Sequence, residues 1–382
     1  MTNSESGNNR QGTGVRGQGS GNGEQWKRGG RQGTAVRGRG RVGGKALRVL
    51  FFVLCLLLSP RPSSLYPEDV ILIKFATLAP EGSTWMNIMQ EWNKDLAEKS
   101  GGRLRFKIYP GGIAGDEKDV VRKIRLGQLH AGGFTGVGLG EIAPEARILD
   151  APFLFRNTDE VDFISKTFEK DFLDAFRNNG YVFLGWAEVG FVYIFTGKPI
   201  GNLRDLKNVK MWMWEGDPIA EAAFKSLGVS PIPLSIADVN TSLQTGLIDG
   251  VYSSPLAAIA LQWFTRAKFM YDYQLANASG AVLISKTFFD KLPKDLQDIL
   301  VSTGRYHMNR LTIAGRKDNR LAVDALKKNG LKISAPPSAE SAAEYAADGQ
   351  KARQMLAGRL YSLEFLKKVE SALDEYRIKK KP

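Results

Sequence analysis

The residue types that could make or break bonds are few in this chain and badly spaced for the work. Histidine occurs twice, at His130 and His307, far apart and without an acidic or histidine neighbour at metal-ligand spacing, so each reads as a structural or surface residue. The single cysteine, Cys55, sits inside an apolar run near the N-terminus. A chain processed beyond that run keeps no thiol nucleophile, no disulfide and no cysteine ligand. The sequence has no Gly-x-Ser-x-Gly elbow to activate a serine. Gly136-Val137-Gly138-Leu139-Gly140 lacks the third-glycine spacing of a dinucleotide turn and does not lie between the first strand and helix, so it reads as a flexible loop. Asp116-Glu117 reads as helix N-terminal charge before it reads as an acid/base couple. No enzymatic activity, cofactor or metal is expected. The chemistry left is recognition.

The elements that would position a recognition site are announced by Leu243-Gln244-Thr245-Gly246-Leu247-Ile248-Asp249-Gly250. Its spacing predicts a helix ending on Gly246, where glycine takes the left-handed conformation, and a turn at Asp249-Gly250 into a strand beginning Val251-Tyr252. Ile124 to Gly132 is a weaker copy, with Gly127 at the helix end. Two helix–Gly–strand units in separate halves predict two similar α/β lobes whose strand-end loops face a shared cleft. Ile71 to Ala76 reads as a strand, followed by the loop Leu78 to Ser83 and a helix carrying Trp85, Met89, Trp92 and Leu96. Arg103 to Tyr109 alternates polar and apolar residues like a half-buried strand, and Asp116-Glu117 opens the next helix. This order implies a mostly parallel sheet. Farther on, Val209 to Trp214 reads as a strand, Asp217-Pro218 as a helix start, and Ser235 with Asp238 as the cap of the helix ending at Gly246. Lys294 to Lys328 keeps an apolar period with no proline, so one long helix or a kinked pair should bridge the lobes; Pro336-Pro337 precedes two terminal helices.

Residues 1–48 are a different kind of sequence, a basic Arg/Gly-rich leader in which Arg10 to Gly17 recurs as Arg31 to Gly38. Almost nothing there can be buried, so it should be disordered. The apolar run Val49 to Leu58 is too short to span a bilayer but suits a secretion signal, and 49–64 reads as its hydrophobic region and cleavage zone. A translation start near Val42 would leave a signal of ordinary length, with the preface unmade. The rival reading is an RNA-binding Arg-Gly tail. Lipid attachment at Cys55 is disfavoured, because Phe52-Val53-Leu54 precede it where a lipoprotein signal has small residues. Residues 1–64 hold 11 Lys/Arg and 2 Asp/Glu, so about +9 of the net +13 lies in the leader. The remainder offers no support for a nucleic-acid partner.

Taken in order, several segments resemble the solute-binding proteins of tripartite ATP-independent periplasmic (TRAP) transporters. They are Gly111 to Glu117, Leu149 to Phe155, Gly185 to Phe191, Lys198-Pro199-Ile200 with Leu203, Asp205 and Leu206, Ala222 to Pro233, and Leu243 to Gly250. The resemblance covers about residues 70–375. It implies a type II-like two-lobed α/β periplasmic binding protein with a hinge and a long interlobe helix. It also implies export to the periplasm, and delivery of a small-molecule solute to membrane permease subunits without catalysis. On that pattern lobe I is 69–190 plus 278–317, and lobe II is 191–277 plus 318–382.

The departures from the family matter as much. Members typically carry an arginine in a Lys-Ile-Arg-like triplet that clamps a solute carboxylate. Here the triplet is Lys210-Met211-Trp212. A second basic position reads Val192, and an asparagine after Asp249-Gly250 reads Ser253. These exchanges argue against a dicarboxylate and for an apolar or aromatic-bearing solute in an aromatic pocket. The candidate site residues are Ala79, Phe134, Trp186, Val192, Trp212, Trp214, Glu215, Tyr252 and Ser253. Lys210 and Arg204 stay open as polar contacts, and Trp212 and Trp214, on one face of a strand, can alternatively be core. The other functional class is a periplasmic adaptor or sensor of the same fold, binding a partner protein such as a helical-repeat protein.

Overall fold

The structure, a computed structural model, describes residues 70–380; the leader, the signal-like run 49–64 and Cys55 lie outside them. β1 (Ile71–Thr77) leads to α1 (Thr84–Lys99), whose Met86, Met89, Trp92 and Leu96 recur at three- and four-residue spacing and bury one face. The Ser83 hydroxyl caps it by accepting from the Met86 amide at 3.2 Å. β2 (Leu104–Tyr109) buries Leu104 and Phe106 and exposes Arg105 and Lys107, the expected alternation. α2 (Glu117–Arg125) starts on the Asp116 cap and is followed by Gly127 at φ 72°, then β3 (Ala131–Thr135). Next come α3 (Gly136–Ile142), α4 (Thr158–Thr167), α5 (Glu169–Asn178) and β4 (Tyr181–Trp186).

The chain then crosses to a second sheet with β5 (Gly190–Thr196), β6 (Trp212–Trp214), α6 (Pro218–Leu227), β7 (Ile232–Leu234), α7 (Val239–Thr245), β8 (Gly250–Ser253), α8 (Pro255–Ala260), β9 (Phe269–Met270) and β10 (Ala276–Ala278). It returns with β11 (Gly280–Ser285), continues through α9 (Lys286–Phe289) and α10 (Lys294–Lys328), and closes with β12 (Lys332–Ile333), α11 (Ala339–Leu356) and α12 (Leu363–Lys379). Among the described residues no helix is long and apolar enough to cross a membrane.

The first sheet has the order β2-β1-β3-β11-β4. β1 is parallel to β2 and β3, as expected of a strand–helix–strand series, but β11 runs antiparallel to both its neighbours. The mostly parallel sheet is therefore a mixed one. The reason is topological: β11 enters from the second sheet rather than by a helical crossover. In the second sheet β5 pairs antiparallel with β10, β8 and β9, and β12 pairs parallel with β9; β6 and β7 form a separate parallel two-stranded sheet beside it.

The two sheet-to-sheet crossings lie side by side. Ala187 donates its amide to the Gly280 carbonyl at 2.7 Å, and Val189 donates to the Ala278 carbonyl at 3.0 Å. α10 is the third tie. It is one unbroken helix of 35 residues, packed on α1 and β4 and also on α8. Trp92 Nε1 donates to Thr303 Oγ1 on it at 2.9 Å.

Both histidines sit in packed surroundings. Buried His307 meets Asp95 at 3.0 Å, and His130 stacks on Phe288 at 3.9 Å between ring centres. Within the C-terminal segment α11 packs on α6, but α12 does not stay with the second sheet as expected. Leu366, Val369 and Leu373 of α12 are buried with Val161, Ile164 and Phe172, because the apolar face of α12 packs on α4 and its neighbours.

Candidate functional site

Between the two sheets lies a cavity of about 730 Å³. That volume suits a small organic molecule. Its walls come from the loop after β1, the β3–α3 junction, the Ala187–Val189 crossing, β5, β6, the end of β8, α6 and α8.

One wall is aromatic. Period-two alternation puts Trp212 and Trp214 on the same face of β6, with ring centres 6.0 Å apart. Trp212 stacks on Tyr252 of β8 at 4.9 Å and 18°, and meets Trp263 edge-on at 5.2 Å and 70°. Trp212 is 2% exposed, so it is core and cavity wall at once. The polar atoms of this wall face inward to the protein. Trp212 Nε1 donates to the Leu234 carbonyl at 3.0 Å, and Trp214 Nε1 donates to Asp116 Oδ2 at 3.1 Å. The Tyr252 hydroxyl accepts from the Trp214 amide at 3.1 Å. Burial pushes the Tyr252 hydroxyl far above the ordinary phenol range, so it stays protonated.

Seven of the nine candidate residues line the cavity: Ala79, Phe134, Val192, Trp212, Trp214, Tyr252 and Ser253. Two do not. Trp186 lies on the face of β4 covered by α5, edge-on to Phe172 at 5.7 Å and Phe176 at 6.1 Å. Glu215 is exposed just past β6, where its backbone carbonyl accepts from Lys118 Nζ at 3.0 Å. Lys210 and Arg204 are engaged away from the cavity, Lys210 with the Gly246 carbonyl and Arg204 with Asp348 at 2.5 Å.

The buried polar end of the cavity escaped sequence reasoning. Arg147 lies in a 3-10 turn (Pro144–Asp150), and its guanidinium is forked between two carboxylates. Nε donates to Asp150 Oδ2 at 2.8 Å, and Nη2 donates to Asp217 Oδ1 at 2.9 Å. Asp217 also caps α6 through the Ile219 amide at 3.1 Å, and Asp150 accepts from the Ser279 amide at 2.6 Å. Burial raises the Asp150 carboxyl and Arg147 opposes it. Asn277, 1% exposed, donates Nδ2 to the Leu149 carbonyl at 3.3 Å, while its Oδ1 has no partner.

Glu117 is the second surprise. Asp116 caps α2 by accepting from the Glu117 amide, leaving Glu117 to reach into the protein. Its carboxyl accepts from the Thr135 amide at 2.7 Å, the Thr135 hydroxyl at 2.9 Å and the Gly138 amide at 2.7 Å. It thus caps α3 from another segment. Burial nonetheless outweighs these donors and pushes the Glu117 carboxyl up to about 7.

The stretch Gly136 to Gly140 is not a flexible loop but the start of α3. A Cβ at Gly136 would overlap the Asp150 carboxylate, and one at Gly138 would overlap the Phe134 ring and crowd Glu117 Oε2. The glycines make room for buried acids. An acid followed by such a glycine series after a strand was the available signal.

Polar contacts also join the segment before α2 to the segments carrying Trp214 and Ser235, beside the aromatic wall. Besides Trp214, Ser235 Oγ donates to Asp116 Oδ2 at 3.1 Å. Among the described residues no group of three or more His, Cys, Asp or Glu side chains is disposed to hold a metal ion. The arrangement can enclose and orient a small molecule.

Residues 75–357 match the family model described as bacterial extracellular solute-binding protein, family 7. A solute-binding protein of Verminephrobacter eiseniae is 31% identical over 291 residues, which is 69% of this chain and 82% of that protein. The 2,3-diketo-L-gulonate-binding periplasmic protein of Escherichia coli is 26% identical over 249 residues, 64% of this chain and 75% of that protein. A crystal structure of a TRAP periplasmic solute-binding protein from Pseudomonas putida, with bound D-glucuronate, shares the fold. Its TM-score is 0.71 at 24% identity, over 79% of this chain and 97% of that one.

Proposed function

Because the chain belongs to bacterial extracellular solute-binding protein family 7, the solute receptors of TRAP transporters, we propose that its cavity takes an apolar or aromatic-bearing solute rather than a simple dicarboxylate. The observation that carries this reading is the stacked Trp212–Tyr252 pair on the cavity wall, with the indole nitrogens of Trp212 and Trp214 already donating to the protein. A dicarboxylate needs donors there, and the wall offers aromatic faces. Asp150 and Asp217 already hold Arg147, so its guanidinium is a poor substitute for a free clamp.

In this reading the lobes divide at the paired crossings near Ala187–Val189 and Ser279, with α12 returned to the first lobe. They close on the solute and present it to membrane permease subunits. The 49–64 run directs export to the periplasm without lipid at Cys55, and N-terminal sequencing of the exported protein should begin near residues 60–69. An adaptor or sensor needs no internal cavity of this size, so the alternative with a helical-repeat partner is not carried further.

Native mass spectrometry of the purified mature chain, followed by calorimetry at low and high salt, tests the solute class. An aromatic-bearing compound should co-purify and bind with little salt dependence. D-Glucuronate, bound by the Pseudomonas putida protein, and a C4-dicarboxylate serve as rival solutes. Tight, strongly salt-dependent binding of either would overturn the proposal.

A further inference from the structure

The polar end of the same cavity narrows the solute further, on the premise that the cavity is the solute site. We infer that the Asp150–Asp217–Asn277 end receives a protonated nitrogen, an ammonium or amidinium group, carried by the solute's apolar body.

The charge count comes first. Among the described residues lining the cavity the one cationic side chain is Arg147, against the carboxylates of Glu81, Glu117, Asp150, Glu188 and Asp217. Glu188 is neutralised from behind by Arg316 Nη2 at 2.6 Å, and Glu81 is exposed at the rim. At the buried end a single guanidinium serves two carboxyl groups, so one of them has no cation of its own, and burial drives Asp150 toward its protonated form. A buried excess charge is costly unless something pairs with it.

The second observation is independent of charge. Asn277 Oδ1 is a buried acceptor without a donor, on a residue that lines the cavity. The amide cannot be turned over to relieve it, because Nδ2 is held by the carbonyl of Leu149, the residue before Asp150. The two features belong to segments bonded to each other: Asn277 donates to the carbonyl of the residue before Asp150, and Asp150 accepts from the amide of Ser279, two residues after Asn277. An ammonium supplies three donors and a positive charge there, whereas a carboxylate supplies neither.

The aromatic wall agrees. Indole and phenol faces attract cations, and the committed Nε1 donors leave those faces, rather than N–H edges, for a ligand.

Calorimetry on the full mature protein with three matched probes tests this: tryptamine, uncharged 3-ethylindole and indole-3-propionate. Tryptamine should bind at least ~10-fold tighter than 3-ethylindole, and indole-3-propionate weakest, as expected when one charged hydrogen bond separates the probes. Asn277→Ala should weaken tryptamine about three- to tenfold and leave 3-ethylindole unchanged. Asp217→Asn should weaken tryptamine similarly; thermal melts check that each variant folds, and Asn277→Ala carries the test if Asp217→Asn does not. Indole-3-propionate binding tighter than tryptamine would overturn the inference while the aromatic-solute reading stands. So would an Asn277→Ala loss common to all three probes, the mark of a structural role. Binding by none of the three would overturn both.

Discussion

Removing Trp212 is the most direct perturbation of the aromatic wall, and the structure fixes what to expect on two scales. The side chain is 2% exposed, stacks on Tyr252, meets Trp263 edge-on and donates to the Leu234 carbonyl. Truncation to alanine leaves an indole-sized void, which costs about 3–5 kcal/mol of folding stability in well-packed cores. A domain with a stability of roughly 5–15 kcal/mol survives that loss with a lowered melting temperature. Affinity is a separate scale. If the indole face also contacts solute, binding of the natural solute should weaken by about 1–3 kcal/mol, some 5- to 150-fold.

Because one residue serves both purposes, alanine alone cannot separate them. Trp212→Phe can. A phenyl ring keeps the stack on Tyr252 but loses the benzo ring and the bond to Leu234, so stability should fall by only about 1–2 kcal/mol. The affinity loss should remain, because the solute-facing area shrinks. Differential scanning calorimetry and titration calorimetry on wild type, Trp212→Ala and Trp212→Phe read the two scales independently. If Trp212→Phe recovers stability and binds as wild type does, Trp212 is packing only and the reasoning fails. Trp212→Arg makes the complementary point. It should not create dicarboxylate binding, since Val192 and Ser253 still lack charged donors and an unpaired buried guanidinium is costly.

Three further outcomes follow from the polar groups and glycines. The Glu117 carboxyl rises from its ordinary 4.5 to about 7 on folding, so both states are protonated below pH 4.5 and the folded state resists ionising above it. Stability should therefore decline between about pH 4.5 and 7, by up to about 3 kcal/mol from this residue. Glu117→Gln should flatten that slope in denaturant titrations at several pH values, and an unchanged slope contradicts the assignment. Asp116→Ala removes the acceptor for Trp214 Nε1 and Ser235 Oγ as well as the α2 cap, so solute dissociation should quicken at least ~5-fold in stopped-flow fluorescence. An unchanged off-rate would mean that these bonds do not hold the cavity shut. Gly246→Ala, at φ 72° with open space around it, should cost about 1 kcal/mol from backbone strain alone, whereas Gly136→Ala should cost more by driving a methyl group into the Asp150 carboxylate. Equal losses in thermal melts would refute the crowding argument at Gly136.

What could be read from the sequence was what local rules govern. Gly246 and Gly127 mark helix ends in the left-handed conformation, Lys294–Lys328 is one helix because no proline interrupts its period, and Asp217-Pro218 opens α6 as a cap and first helical residue. Trp212, Val192 and Ser253 are legible through a resemblance that aligns them with ligand positions, and Tyr252 as an aromatic neighbour of that set. What escaped depends on contacts between distant segments. β11 is antiparallel because of where the chain returns, and α12 changes sheets because its apolar face finds α4. Trp186 and Trp212 look equivalent as isolated residues. Only the helix covering β4 keeps Trp186 off the cavity, while Trp212 is both buried and on its wall.

The buried acids show how such a site stays hidden. Arg147, Asp150 and Asp217 come from two chain regions and look, one at a time, like surface charges. Glu117 looks like the second charge of a helix start, yet Asp116 alone performs that role. The compensating signal lies elsewhere, in Gly136 and Gly138, where any side chain would displace a carboxylate. Small residues at those two positions permit the burial of acids, and acids that the protein only partly neutralises contribute little to stability and mark a candidate ligand site. The aromatic wall and the acidic end thus answer different parts of one question. The first sets the shape and polarity of the solute's body, and the second sets the sign of the charge it must bring.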